Sequence, residues 1–94
     1  MLQPLDGPAL SGVLSATTTA QEVKVNATVL EERKLISVTP TDGKVWYGYD
    51  NTVTSLTGTR VTKNQTLFLE ASSSLPVYIV TASGTVDVRI TEVA

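Results

Sequence analysis

Trp46, Tyr47 and Tyr49 crowd three aromatic side chains into one short segment, flanked by Asp42 and Asp50. An exposed Tyr/Trp face could stack on a sugar ring. Amphipathic rings could equally anchor a protein interface or fill a core. On a strand, Tyr47 and Tyr49 share one face and Trp46 points to the other. The segment is therefore expected to place one face in the core and offer the other to a partner. Asp42 and Asp50, with backbone carbonyls, could hold Ca²⁺. No acidic run of calcium-loop spacing accompanies them, and a turn aspartate bonding its own backbone accounts for each. Glu31-Glu32-Arg33-Lys34 reads as a solvated, charge-balanced loop.

Catalytic chemistry has little to draw on. The chain has no histidine and no cysteine. The usual general base, the reactive thiol and the commonest metal ligands are therefore missing, and no disulfide can form. A Ser–Lys pair remains conceivable, but Ser37, Ser55 and Ser72 to Ser74 lie in no context that supports one. The expectation is a protein that is not an enzyme, with no catalytic residues, no cofactor and no metal site. Asn26-Ala27-Thr28 and Asn64-Gln65-Thr66 match the glycosylation sequon and read as chance in a Thr-rich chain.

Charge narrows the partners further. Net charge is −2 and no run of Lys or Arg occurs, so neither nucleic acid nor an anionic membrane is an expected partner. Charged residues are only 17% against 41% hydrophobic. Thr, Ser and Asn must therefore do much of the solvation, which suits close contact with neighbours. At 94 residues one domain can form, with a modest core that gains from association. No segment has the length of a membrane-spanning helix, and residues 1–21 do not read as a signal peptide.

The elements that would position these residues follow from periodicity. Residues 1–21 carry Pro4, Gly7, Pro8 and Gly12, too many breakers for a helix or a central strand. They also carry Leu2, Leu5, Leu10, Val13 and Leu14, too apolar for a solvated linker. They read as an extended N-terminal arm whose apolar residues seat in a groove on their own domain or on a neighbour. Removing residues 1–14 is expected to leave the domain folded but weaken assembly. From Glu22 the period becomes two. Val23, Val25 and Ala27 alternate in a first strand. Lys34 to Thr39, the turn Pro40-Thr41-Asp42-Gly43 and Lys44 to Tyr49 read as a hairpin. Short strands follow at Thr59 to Thr62 and Thr66 to Ala71, then an apolar central strand at Val77 to Ala82. Ser83-Gly84 signals a hairpin turn. Thr85 to Val93 alternates, with Val86, Val88 and Ile90 inward and Asp87, Arg89 and Thr91 outward. Thr and Val favour strands throughout. The expected fold is all-β, a small β-sandwich or jelly-roll-like barrel of six to seven strands over residues 22–94, preceded by the arm.

Val45-Trp46-Tyr47-Gly48-Tyr49-Asp50, the polar loop to Gly58, and Lys63-Asn64-Gln65-Thr66 resemble a pattern in small virion proteins of tailed bacteriophages. So do Leu75-Pro76-Val77-Tyr78-Ile79-Val80, Ala82-Ser83-Gly84 and Val86-Asp87-Val88-Arg89-Ile90-Thr91-Glu92. The resemblance spans roughly residues 22–94. It implies a capsid decoration (cement) protein in the virion, assembled in the host cytoplasm. Its partners would be the major capsid protein or other virion proteins, and it would form a homo-oligomer, a trimer first. It brings no catalytic residues. Arg89 is expected to pair with Asp87, Glu92 or a carboxylate across an interface. The arm residues, Trp46, Tyr47, Tyr49 and Arg89 are then the candidate interface. Two alternatives remain: a neck, tail or fibre component of a virion, and a carbohydrate-binding module using Trp46, Tyr47 and Tyr49.

Overall fold

A computed structural model describes residues 7–94. It is all-β, with eight strands: β1 Ala9–Ala16, β2 Gln21–Glu22, β3 Leu35–Pro40, β4 Val45–Gly48, β5 Thr59–Val61, β6 Leu67–Glu70, β7 Tyr78–Val80 and β8 Val86–Val93. They form two antiparallel four-stranded sheets, ordered β1-β8-β3-β6 and β2-β7-β4-β5. Both sheets contribute to one apolar cluster, Ile36, Val38, Val88 and Ile90 from the first and Val45, Val61 and Ile79 from the second. The arrangement is compatible with a small β-sandwich.

Pairing is nested: β1 with β8, β2 with β7, β3 with β6, β4 with β5. The chain thus behaves as one long hairpin wound over itself, closed by β3 with β8 and β4 with β7. Only the β4–β5 connection stays within a sheet; each of the others crosses from one sheet to the other. Residues 34–49 are therefore not a hairpin. Pro40-Thr41-Asp42-Gly43 turns the chain, but β4 goes to the opposite sheet from β3. The same correction applies at Ser83-Gly84 between β7 and β8, although Gly84 does adopt the left-handed φ of +65° that its turn demands.

Residues 9–16, read as part of an arm, form the edge strand β1, in register with β8 from Ala9 opposite Val93 to Ala16 opposite Val86. The breakers that argued against a central strand are compatible with an edge, where one row of backbone groups needs no ladder partner. Gly12 also lets Val25 come close, within 3.0 Å of where a Cβ would stand. The expected strand over 22–27 shortens to β2. Beyond Glu22, Val23 N still donates to Val77 O, and side chains then take over, with Arg33 donating to Val23 O and Glu92 accepting from Val25 N. β2 to β8 make seven strands, and β1, from the residues read as an arm, is an eighth among the described residues.

Antiparallel register also sorts the connections by end. Leu35 lies opposite both Val93 and Glu70, and Tyr78 opposite both Glu22 and Gly48. The segments 23–34, 49–58 and 71–77 therefore emerge together at one end, and the tighter turns 17–20, 41–44, 62–66 and 81–85 at the other.

Candidate functional site

The long-loop end is built around a buried ion pair. Arg33 and Glu92 are both almost fully buried, and Arg33 Nη1 lies 3.0 Å from Glu92 Oε2. The guanidinium also donates from Nε to Ala71 O, from Nη1 to Val23 O, and from Nη2 to Ser72 O and Leu75 O. Glu92 accepts from Val25 N and Leu30 N as well. Arg33 thereby ties together the 23–34 and 71–77 loops and β8, with each donor nitrogen used. Arg33 does not belong to a solvated loop, as its charged neighbours had suggested; Glu31, Glu32 and Lys34 stay outside, and Glu32 turns the chain through a left-handed φ of 58° to send Arg33 in. The signal was present in β8. Val86, Val88, Ile90 and Glu92 share one parity, and a carboxylate on a core face needs a buried cation.

Beside this staple lies the aromatic segment. Val45 and Tyr47 face the core, while Trp46 points out of the second sheet opposite Val80 and Arg60. The alternation thus separates the aromatic residues by face. Trp46 lines a depression of about 300 Å³ with Asp42, Lys44 and Thr85, toward the turn end. Tyr47 and Tyr49 line a different groove, of about 450 Å³, with Asp50, Thr52, Thr57 and Thr59. Their rings stand 6.1 Å apart at 86°, an edge-to-face pair.

The 49–58 loop that walls this groove is shaped by Val53. Val53 is buried over Gly48 and Gly58; a Cβ on Gly48 would fall 2.6 Å from Val53 Cγ2, and one on Gly58 2.9 Å from the same atom. Threonines set the rest. Asp50 Oδ1 accepts from Thr52 N and Thr52 Oγ1, and these bonds hold the Asp50 carboxyl below its ordinary pKa. Thr57 Oγ1 accepts from Thr54 N, and Thr54 O accepts from Gly58 N. Asp50 is thus a turn aspartate bonding its own backbone. Among the described residues no group of three His, Cys, Asp or Glu side chains could hold a metal ion.

The outer face of the first sheet is the other surface of note. Register lines up Ser11, Thr91, Ser37 and Phe68 in one row and Val13, Arg89 and Thr39 in the next. Hydroxyls meet across strands, Ser11 Oγ with Thr91 Oγ1 at 3.4 Å and Thr39 Oγ1 with Thr66 Oγ1 at 2.8 Å. Phe68 and Val13 are exposed there, at 65% and 60%. Arg89 bonds Asp87 at 3.3 Å and not Glu92, which Arg33 occupies. Of the expected arm residues, Val13 joins this face beside Arg89, Leu14 packs against the core and Leu10 lies on the same inward parity. Leu2 and Leu5 lie outside the described residues. Sequence reasoning missed Phe68 as a surface residue of interest, although its parity opposite Leu67 and Leu69 announced it.

Comparison with known proteins adds no relative: no family model, no curated protein and no solved structure matches the chain.

Proposed function

We propose that this chain is a non-enzymatic structural module of a tailed-bacteriophage virion, a jelly-roll capsid decoration protein that stabilises the shell. The observation that carries the reading is the outer face of the first sheet. Its rows are hydroxyls and exposed apolar side chains, with Arg89 neutralised by Asp87. Contact patches are depleted of charge at their centre and enriched in aromatic residues and arginine, which describes Phe68 and Arg89, with Val13 as an exposed apolar neighbour. Strand order agrees with the fold part of the reading. Eight strands in the order 1-8-3-6 and 2-7-4-5, paired as a wound hairpin, are what a jelly roll of two Greek keys requires, an architecture that capsid proteins and lectins use. The fold alone does not assign the role; the sequence resemblance supplies the virion. The absence of histidine and cysteine from the chain favours a role without turnover.

Such a protein acts by mass action. Binding the assembled shell and not its free subunits lowers the free energy of the assembled state. Weak contacts repeated on a symmetric particle add through avidity. The partner is the major capsid protein, with a homo-oligomer, a trimer first, as the bound unit. The test is co-sedimentation with purified particles of the virus that encodes the chain. Saturation at copies in the hundreds, abolished by Phe68→Lys with Val13→Lys, supports decoration. Saturation at a small multiple of the tail symmetry moves the chain to the neck, tail or fibre. No co-sedimentation by the folded protein ends the virion reading.

A further inference from the structure

We propose that the groove between Tyr47, Tyr49 and the 49–58 loop is a binding site for a neutral sugar ring. The proposal rests on this groove and not on the sheet face, so it stands or falls apart from the assembly role.

Its volume, about 450 Å³, lies in the range of small-ligand sites. Tyr49 is half exposed, at 51%, which leaves ring surface free for the polarised C–H bonds of a pyranose. Tyr47 stands perpendicular to it, so the two rings make a corner and not a flat wall. A sugar laid against one ring meets the other side-on, which fixes its orientation. Around this corner are acceptors and donors suited to hydroxyl groups: the Asp50 carboxylate and the hydroxyls of Thr52, Thr57 and Thr59. Thr52 uses one carboxylate oxygen of Asp50 and leaves the other without a side-chain partner among the described residues. That oxygen can accept from a sugar hydroxyl, and the bonds from Thr52 keep the group ionised and held in place.

The same residues set the class of sugar. No Lys or Arg lines the groove, and its one charge is negative. Sialylated, sulfated and phosphorylated glycans meet repulsion with no compensating cation. Neutral hexoses and N-acetylhexosamines meet none. The loop geometry is rigid enough to serve, because Val53 fills the space over Gly48 and Gly58 and the threonine bonds fix the turn. Trp46 takes no part, since it faces the separate depression near Asp42.

An NMR titration of the backbone amides decides the matter, using the full chain with glucose, galactose, mannose, N-acetylglucosamine and their disaccharides, and sialyllactose and glucose 6-phosphate as anionic arms. The expected result is saturable shifts at residues 47–59 for at least one neutral sugar, with Kd about 1 mM, and none for the anionic arms. Tyr49→Ala is expected to weaken binding at least about tenfold, and Trp46→Ala to leave it within about twofold; the spectrum of each variant reports whether it is folded. Asp50→Asn, which keeps the size and one acceptor, is expected to weaken binding by a smaller factor. Three results would overturn the proposal: no saturable shift with any neutral sugar, equal binding of the anionic arms, or shifts unchanged by Tyr49→Ala.

Discussion

The two ends of the molecule are built on opposite plans. At the turn end the connections are tight and stabilised locally or by neighbouring strands: Thr41 N donates to Asp87 O, Thr81 Oγ1 to Gly84 O, and Asp87 N to Asp42 Oδ1. At the loop end two of the three longer segments, 23–34 and 71–77, share one buried arginine, and their order depends on a partner far away in sequence. Turns of the first kind can form from their own chemistry. Loops of the second kind are ordered only when the whole fold is present. The loop end is also where apolar side chains stay outside, Tyr49 and the almost fully exposed Leu56 among them. The difference teaches that a small all-β domain can hold elaborate loops without disulfides if a satisfied buried ion pair ties two of them to the sheet.

The largest effect is expected for the strand that both ends share. Deleting residues 1–14 removes most of β1, opening the edge of β8 and stripping Leu10 and Leu14 from the inner face. Loss of their burial alone costs about 2–4 kcal/mol. Far-ultraviolet circular dichroism should show an unfolded chain, in contrast to the folded truncation that the arm reading implies; a folded product would mean that β1 is dispensable. Next comes Arg33→Met, which strands Glu92 in the core and is expected to cost about 3–5 kcal/mol in urea unfolding. Arg33→Met with Glu92→Met should recover part of that loss. If Arg33→Met costs no more than a surface change, the loop end is not held as described.

Gly48→Ala drives a Cβ into Val53 and is expected to cost about 1–3 kcal/mol, with shifts confined to residues 49–58. At the turn end, Asp42→Ala removes the acceptor of Asp87 N and should cost only about 1 kcal/mol, measured by the same unfolding curve. A larger loss than for Gly48→Ala would reverse the comparison. The smallest effect concerns pH. The folded Asp50 carboxyl titrates below its ordinary value because of its bonds from Thr52. A depressed folded pKa means that its contribution is present above the unfolded value and is lost as pH falls through the lower, folded one. A carboxyl-carbon NMR titration should place the Asp50 midpoint below that of Asp50 in Thr52→Val; coincident midpoints would remove the proposed cause.

What the sequence made legible was parity. The in-and-out faces of β6 and β8, and the opposite faces of Trp46 and the two tyrosines, follow from a period of two, and the core residues Ile36, Val38, Val88 and Ile90 with them. What escaped was partnership. Pro40-Thr41-Asp42-Gly43 specifies a turn but not whether the next strand lies beside the last or across the core. Arg33 and Glu92 are 59 residues apart, so no local window contains both. The breakers around β1 counted against a strand because an edge position, where they cost least, is itself a property of the sheet. The tyrosine groove was half visible. The aromatic segment stood out, but the threonines that complete it are ordinary residues until Val53 folds their loop over Gly48 and Gly58.

The nested pairing has a consequence for how the chain is made. β8 is the last of the strands to leave the ribosome, yet it is the common neighbour of β1 and β3. Until it arrives, β1 has no partner and β3 pairs with β6 alone, so the inward apolar residues of β1 and β3 wait beside edges that any other strand could join. Closing so many distant pairs at once is slow. During synthesis the nascent chain is therefore exposed to mispairing with its neighbours on a crowded polysome. Its yield should depend on synthesis rate and chaperone supply more steeply than its final stability would indicate.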